Sequence, residues 1–123
     1  VNRQIEDTLR KGDVIVVFAE SRISCGRDVE PFKSALIQPA VANHIPVHYA
    51  TLSYATPEGT PPANEIVSWW RPESFGKHLI RLLGYTGVTA TVHFGAEPIF
   101  DHDRKELARK LRDAVREQFV PLS

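Results

Sequence analysis

The chain has 123 residues, of which 42% are hydrophobic and 24% are charged, the composition of an ordinary globular domain and not of a disordered chain. Basic and acidic residues number 15 each, so the net charge gives no argument for nucleic-acid binding. The single cysteine, Cys25, excludes an internal disulfide. The longest apolar run, residues 14–19, is too short for a membrane-spanning helix.

The first predicted elements are a helix, a strand and a polar loop. Residues 2–11 have helical apolar spacing and are followed by Gly12, which stands where a helix-terminating glycine belongs. Residues 14–18 form a β-branched run without alternation, which predicts a central strand buried on both faces, as in parallel α/β sheets. Residues 19–30 are polar and predict a loop.

The middle of the chain predicts a second helix and a second strand. The helix covers residues 32–43 after Pro31, a residue favoured in the first helical turn, and Pro39 inside it predicts a kink or an early end. Residues 47–54 predict the strand. Residues 55–64 are rich in Pro, Thr and Gly and predict a loop between elements of one domain.

The last third of the chain predicts a helix, a strand and a final helix. The helix covers residues 74–83. The strand covers residues 88–94, whose alternation of apolar and polar residues is typical of a half-buried or edge strand. Asp103 and Glu106 have the spacing of a capping box at the start of the final helix. Helices alternating with strands predict an α/β fold, a layered sheet with flanking helices.

The loop of residues 19–30 carries the candidate chemistry. Ligands of α/β sheets bind at the carboxyl ends of strands, and here that end holds an acid, small hydroxyl residues, a glycine and two arginines, followed by Lys33. Loop amides, a helix N-terminus and basic side chains are what a phosphate site needs. The alternative is a solvated surface loop whose charges pair with each other. Cys25 has no identifiable partner base, which favours an incidental thiol over a reactive one.

Residues 18–34 resemble the third signature block of the glycerolipid acyltransferases. That block reads Phe-Pro-Glu-Gly-Thr, then a few residues with Ser and Gly, then Pro-Phe-Lys, and the present sequence follows this register without gaps. Residues 45–50 resemble the fourth block, and residues 69–99 are similar to the tail of bacterial members. Departures from the third block are Ala19 for proline, Ser21 for glycine and Arg22 for threonine.

The resemblance implies a glycerol-3-phosphate-acyltransferase-like fold and an activity of the lysophosphatidic-acid acyltransferase type. Such an enzyme transfers a fatty acyl group from acyl-CoA or acyl-carrier protein to a lysophospholipid such as 1-acyl-glycerol-3-phosphate, without a cofactor or metal, in phospholipid biosynthesis. The family's general base is the histidine of a His-x-x-x-x-Asp block, and no histidine of this chain begins one. We therefore expect residues 1–123 to be the C-terminal portion of a single acyltransferase domain, inactive alone.

The resemblance also assigns the substrate-binding residues. Glu20 and Ser21 shape the acceptor site and Arg22 binds phosphate, with further candidates for the same pocket in Ser24, Gly26 and Lys33. Loss of the family's glycine at residue 21 restricts the loop if that position needs a positive φ. The family implies a peripheral location on the cytoplasmic face of a membrane. Trp69 and Trp70 fit a membrane-surface anchor, an acyl groove or core packing.

Three other interpretations stay open. One keeps the chemistry but changes the acceptor to another lyso-lipid, for example an amino-acid lipid, which the substituted third block allows. Another is a degenerate, non-catalytic acyltransferase-like domain that binds lipid or a partner protein. The last is an unrelated α/β nucleotide-binding module, against which the lack of a glycine-rich fingerprint after the first predicted strand counts.

Overall fold

The structure, a computed structural model, describes residues 1–122. These residues form helices and strands in the order α1 (Asn2–Arg10), α2 (Ser34–Ala42), β1 (Ala50–Ala55), α3 (Ala63–Ile66), α4 (Phe75–Leu83), β2 (Thr89–Phe94) and α5 (Arg104–Gln118). Within that described range, β1 and β2 form a two-stranded antiparallel sheet, with Ala50 opposite Phe94 and Ala55 opposite Thr89. The chain is a small mixed α/β unit with flanking helices.

Local sequence signals set the ends of three helices as predicted. Helix α1 is followed by Gly12, whose φ of +80° is the left-handed conformation that ends helices. Helix α4 begins after Ser74, whose hydroxyl accepts a backbone N–H of the first turn at 3.4 Å. Helix α5 begins after Asp103, whose carboxylate accepts two backbone N–H groups at 2.7 and 3.2 Å. The capping box is half formed, because the Glu106 carboxylate pairs with Arg109 instead of reaching back.

Helix α2 starts later than the sequence predicts. Lys33 is extended, with ψ at 100°, and its backbone N–H donates to the carbonyl of Ala19 at 2.8 Å, so the helix begins only at Ser34. Pro39 lies buried inside the helix, which continues to Ala42. Proline removes one backbone donor from a helix, and α2 nevertheless runs on past it.

The core lies where α2 packs against α5, near the start of β1. Its buried centre consists of Ile37, Leu107, Ala108 and Leu111, surrounded by partly buried Phe32, Val41, Val47, Tyr49 and Ile99. The buried residues of α5 recur at helical spacing, which places one apolar stripe of this helix against the core and leaves its charged face outside. This packing fixes α5 beside the loop that carries the candidate chemistry.

The prediction of a buried strand at residues 14–18 is wrong. The segment forms no strand, and Val14, Val16 and Phe18 are 91%, 78% and 78% exposed. A central strand needs hydrogen-bonded neighbours at both edges, whereas the strands among residues 1–122 pair with each other and not with this segment. An apolar run therefore predicts a tendency to be buried, and it does not supply the partner that buries it.

The strand predicted at residues 88–94 forms, but its apolar face is not buried. All residues of β2 are exposed, including Val92 at 52% and Phe94 at 74%. Helix α5 packs on the sheet at β1, where Thr51 is only 5% exposed. Across residues 1–122, no helix has both the length and the apolar character required to span a bilayer.

Candidate functional site

The segment of residues 19–33, called here the signature loop, is folded back on itself by backbone hydrogen bonds. Its two ends meet where the Lys33 N–H donates to the Ala19 carbonyl at 2.8 Å. The Glu20 carboxylate reaches across the loop and accepts the backbone N–H of Glu30 at 2.8 Å. These two contacts bring the two ends of the loop together, and with them Glu20, Arg22 and Lys33.

A small surface pocket of about 140 Å³ lies between the two ends of the signature loop. It is lined by Glu20, Arg22, Pro31 and Lys33. The structure thus brings together three of the side chains that the family resemblance points to. The Lys33 ammonium forms no ion pair with any residue that the structure describes, and it is exposed beside the pocket.

Glu30 lies outside the pocket lining and contacts the site through Arg22, and the comparison with the family block did not single it out. Its carboxylate accepts hydrogen bonds from Arg22, from Nε at 3.1 Å and from Nη2. The pair agrees with the alternative in which loop charges neutralise each other. The Arg22 side chain is 64% exposed, and exposed ion pairs contribute about 0.2–1 kcal/mol, so a ligand anion can compete for this guanidinium.

Ser21 adopts the left-handed backbone conformation that favours glycine. Its φ is +56°, and its N–H donates to the Phe18 carbonyl at 3.2 Å in a tight turn. The family has glycine at this position, and the turn keeps a positive φ with serine in its place. A non-glycine residue there carries about 1–2 kcal/mol of backbone strain. The side chain of Ser21 is outside the lining of the pocket.

Ser24 and Gly26 lie at the far side of the signature loop, away from the pocket lining. The Ser24 hydroxyl accepts the Gly26 N–H at 3.2 Å, and the Gly26 carbonyl accepts the Leu122 N–H at 2.9 Å. Gly26 has a φ of +70°, and a Cβ atom there would overlap the Leu122 side chain. These residues shape the loop, while their predicted contact with substrate stays a prediction.

Helix α5 anchors the signature loop through two arginines. Arg112 donates to the Val29 carbonyl from Nε at 3.1 Å and from Nη2 at 2.8 Å. Arg116 forms two hydrogen bonds of 3.0 Å to the Asp28 carboxylate. The backbone N–H of Val29 at 2.7 Å, followed by the charge of Arg116, lowers the pKa of Asp28 from its ordinary value of 3.8. Arginines on the charged face of α5 therefore hold the signature loop in position.

A larger groove of about 390 Å³ adjoins the pocket and shares Pro31 with it. Its apolar floor includes Phe32 and Ala108, and basic side chains of α5 border it; the full lining is Pro31, Phe32, Ser34, Lys105, Ala108, Arg109 and Arg112. Two of these cations already have partners, since Arg109 pairs with Glu106 and Asp113 and Arg112 holds the loop. Among residues 1–122, no group of His, Cys, Asp and Glu has an arrangement that could hold a metal ion.

The chain is similar to lyso-ornithine lipid O-acyltransferases. The protein of that name from Brucella abortus (strain 2308) is 32% identical over 126 aligned residues, which cover 92% of this chain and 47% of that protein. The protein of the same name from Rhodobacter capsulatus is 29% identical over 119 aligned residues, which cover 91% of this chain and 42% of that protein. The chain spans about half the length of the curated relatives it matches.

These names support a transferase role at the level of the family, and they agree with the acyltransferase resemblance of residues 18–34. The narrower lysophosphatidic-acid type has no such support, because both relatives are named for a different lyso-lipid. No protein-family model matches the chain. No solved structure matches it significantly.

Proposed function

We propose that the chain is the acceptor-binding portion of an acyltransferase that acts on a lyso-lipid, with the general base supplied from outside these residues. The observation that carries this proposal is the charged pocket at the two ends of the signature loop, in a chain similar to two lyso-ornithine lipid O-acyltransferases. The expected membership of residues 1–123 in one acyltransferase domain is part of the proposal.

In such a reaction the acceptor hydroxyl attacks the thioester of the acyl donor. A carbon–oxygen bond forms, the carbon–sulfur bond breaks, and the general base takes the hydroxyl proton. The task of the present residues is to hold the acceptor headgroup so that its hydroxyl faces the donor. Fixing two reactants in one geometry accounts for a large part of enzymatic rate acceleration, so a binding portion of this kind contributes to turnover as well as to affinity.

The charge of the pocket favours an amino-acid headgroup over a phosphate. Arg22 and Lys33 offer positive charge to a ligand anion, while Glu20 and Glu30 offer negative charge within the same patch. An ornithine headgroup carries both an amine and a carboxylate, so both signs of charge in the patch find a partner. A phosphate would face like charge from the two carboxylates, which opposes its binding.

The adjoining groove is our proposed place for the acyl donor. Its apolar floor suits a fatty acyl chain, and Lys105 at its border suits the phosphates of acyl-CoA or of an acyl-carrier protein. Pro31 lines both the groove and the pocket, so a donor and an acceptor bound there would be neighbours. Acyl-CoA and acyl-carrier protein stay alternative acyl donors.

The test is acyl transfer by the full-length protein that contains this chain, with lyso-ornithine lipid and lysophosphatidic acid as competing acceptors. We expect transfer to the amino-acid lipid, with kcat/KM reduced about tenfold in Glu30→Gln because an amine contact is lost. Arg22→Gln is expected to reduce kcat/KM by a similar factor. Arg27→Gln, an exposed arginine outside the pocket lining, is the matched control and should change little.

Two outcomes would overturn parts of this proposal. No transfer to any lyso-lipid removes the acyltransferase function and favours a non-catalytic lipid-binding domain. A preference for lysophosphatidic acid that Glu30→Gln leaves unchanged removes the amino-acid headgroup and restores the phosphate role of Arg22.

A further inference from the structure

One peptide group of the signature loop is held from both sides by charged side chains. The carbonyl of the peptide group that joins Val29 to Glu30 accepts from Arg112, at 3.1 Å from Nε and at 2.8 Å from Nη2. The N–H of the same peptide group donates to the Glu20 carboxylate at 2.8 Å. Because a peptide group is planar, holding its carbonyl and its N–H fixes its orientation, and with it the direction of the chain into Glu30.

The signs of the two charges suit the polarity of this peptide group. A cation lies at its carbonyl oxygen, and a carboxylate lies at its N–H. Hydrogen bonds to ionised groups are stronger than those between neutral groups, and hydrogen bonds in a chain polarise one another. Arg112, the peptide group and Glu20 therefore form one polar connection that runs from α5 to the lining of the pocket.

Arg112 differs from the arginines one turn before it and one turn after it on α5. Across residues 1–122 it forms no ion pair, and its hydrogen bonds go to the neutral Val29 carbonyl. Arg109 pairs with two carboxylates of its own helix, and Arg116 pairs with the Asp28 carboxylate. Of these three arginines, Arg112 is the one that binds the backbone next to Glu30.

The carboxylates of the site depend on this peptide group more than Lys33 does. Glu20 is bound to its N–H, and that N–H belongs to Glu30 itself. Lys33 is held separately, by its backbone N–H on the Ala19 carbonyl at 2.8 Å. A rotation of the peptide group would break the Glu20 contact and displace the Glu30 carboxylate, whereas the Lys33 ammonium would stay beside the pocket.

We propose that Arg112 is a positioning residue for acceptor specificity, which keeps the carboxylates of Glu20 and Glu30 where they meet the amine of the headgroup. This role rests on the proposed function, since the amine-bearing acceptor is part of that function. Arg112 acts through the loop and does not touch the acceptor. Without its contact the carboxylates lose their placement, while the cations of the pocket still offer charge to a phosphate. Selectivity therefore falls more than turnover does.

The test compares two acceptors in the full-length protein that contains this chain. The readout is the ratio of kcat/KM for lyso-ornithine lipid to kcat/KM for lysophosphatidic acid. Arg112→Lys keeps the positive charge but lacks the planar fork, so the ratio should fall about fivefold, through a higher KM for the amino-acid lipid. Arg112→Gln also removes the charge and should lower the ratio about tenfold. In both variants, kcat/KM for lysophosphatidic acid should change less than about twofold.

Arg109→Gln is the matched control. Arg109 lies on the same helix and also lines the groove, but its partners are on α5 and not on the loop. Whatever its effect on turnover with the donor, this variant should leave the ratio of the two acceptors unchanged. Thermal unfolding followed by circular dichroism checks that each variant folds. A general loss of stability lowers both kcat/KM values by the same factor, so the ratio separates positioning from folding.

Failure of this role and failure of the proposed function give different results. If the wild type transfers to neither lyso-lipid, or does not prefer lyso-ornithine lipid, the proposed function is overturned and this role with it. If the wild type shows the preference and both Arg112 variants keep it, the role of Arg112 alone is overturned. An equal loss with both acceptors would also overturn it, and so would a ratio that Arg109→Gln lowers as much.

Discussion

The signature loop and the apolar segment of residues 14–18 adjoin in the chain, and their surroundings are opposite. The loop is polar, yet its backbone is well held. Its two ends hydrogen-bond to each other, and Gly26 and Val29 are held by residues from distant parts of the chain. The segment before it is apolar, yet Val14 and Val16 are 91% and 78% exposed. The difference teaches that order follows available partners more closely than it follows hydrophobicity.

The contacts that hold a loop differ in kind from those that hold a buried strand. A loop needs a few directed contacts, and α5 supplies them with Arg112 and Arg116. A buried strand needs a continuous ladder on each edge and apolar cover on each face. The strands described, β1 and β2, offer neither to residues 14–18. This contrast should appear in the free energy of unfolding and in the titration of the loop.

The largest expected effect separates a buried side chain from an exposed one. Leu107 is 0% exposed in the core, and Leu107→Ala should lower the free energy of unfolding by about 2–5 kcal/mol, since it removes packed methyl groups and leaves a cavity. Val16→Ala should change it by less than about 0.5 kcal/mol. Urea unfolding followed by circular dichroism measures both values. Equal losses would mean that residues 14–18 are buried in solution.

An intermediate effect tests how tightly the signature loop is held. Gly26→Ala should lower the free energy of unfolding by about 1–3 kcal/mol, because the new methyl group meets Leu122 and the φ of +70° disfavours alanine. Gly59→Ala is the matched control, with a φ of +83° and open space around its Cβ position. It should show the backbone strain alone. The same loss at both positions would contradict the contact with Leu122.

The smallest effect is a shift in one titration. The lowered pKa of Asp28 means that its contribution to stability is present above the ordinary value of 3.8 and is lost as pH falls through the lowered value. Carbon-13 NMR of the carboxyl group should show this titration below 3.8. Arg116→Gln should move the midpoint upward, although the Val29 N–H still holds it below the ordinary value. An unchanged midpoint in Arg116→Gln would contradict the anchoring of the loop by Arg116.

Features that depend on local sequence could be predicted, and features that depend on distant partners could not. Gly12, Ser74 and Asp103 mark helix ends because their effects act within one turn of chain. The alternation in residues 88–94 predicts a half-buried or edge strand, and β2 is an edge strand with both faces exposed. Alternation predicts which face is apolar and does not specify what covers it. Pattern alone cannot tell an apolar face that meets the core from one that stays open.

The residues of the candidate site also divide into those that the sequence could identify and those that it could not. Glu20, Arg22 and Lys33 could be found from the family block, and the structure places all three around one pocket. Glu30 lies outside the matched block positions, and opposite charge within one loop was its only signal. The contacts of Arg112 and Arg116 with the loop span 83 and 88 residues of sequence, and nothing near either end of such a contact announces it.

The positive φ of Ser21 has a consequence for how this loop tolerates change. Glycine at that position would relieve about 1–2 kcal/mol of strain but would add roughly 0.4–1 kcal/mol of freedom to the unfolded chain. The two terms oppose each other, so glycine at residue 21 would range from neutral to about 1.6 kcal/mol more stable than serine, and either residue leaves the turn intact. Sequence drift at residue 21 can therefore add or remove a hydroxyl at the surface of the signature loop, outside the pocket lining, while the turn keeps its shape.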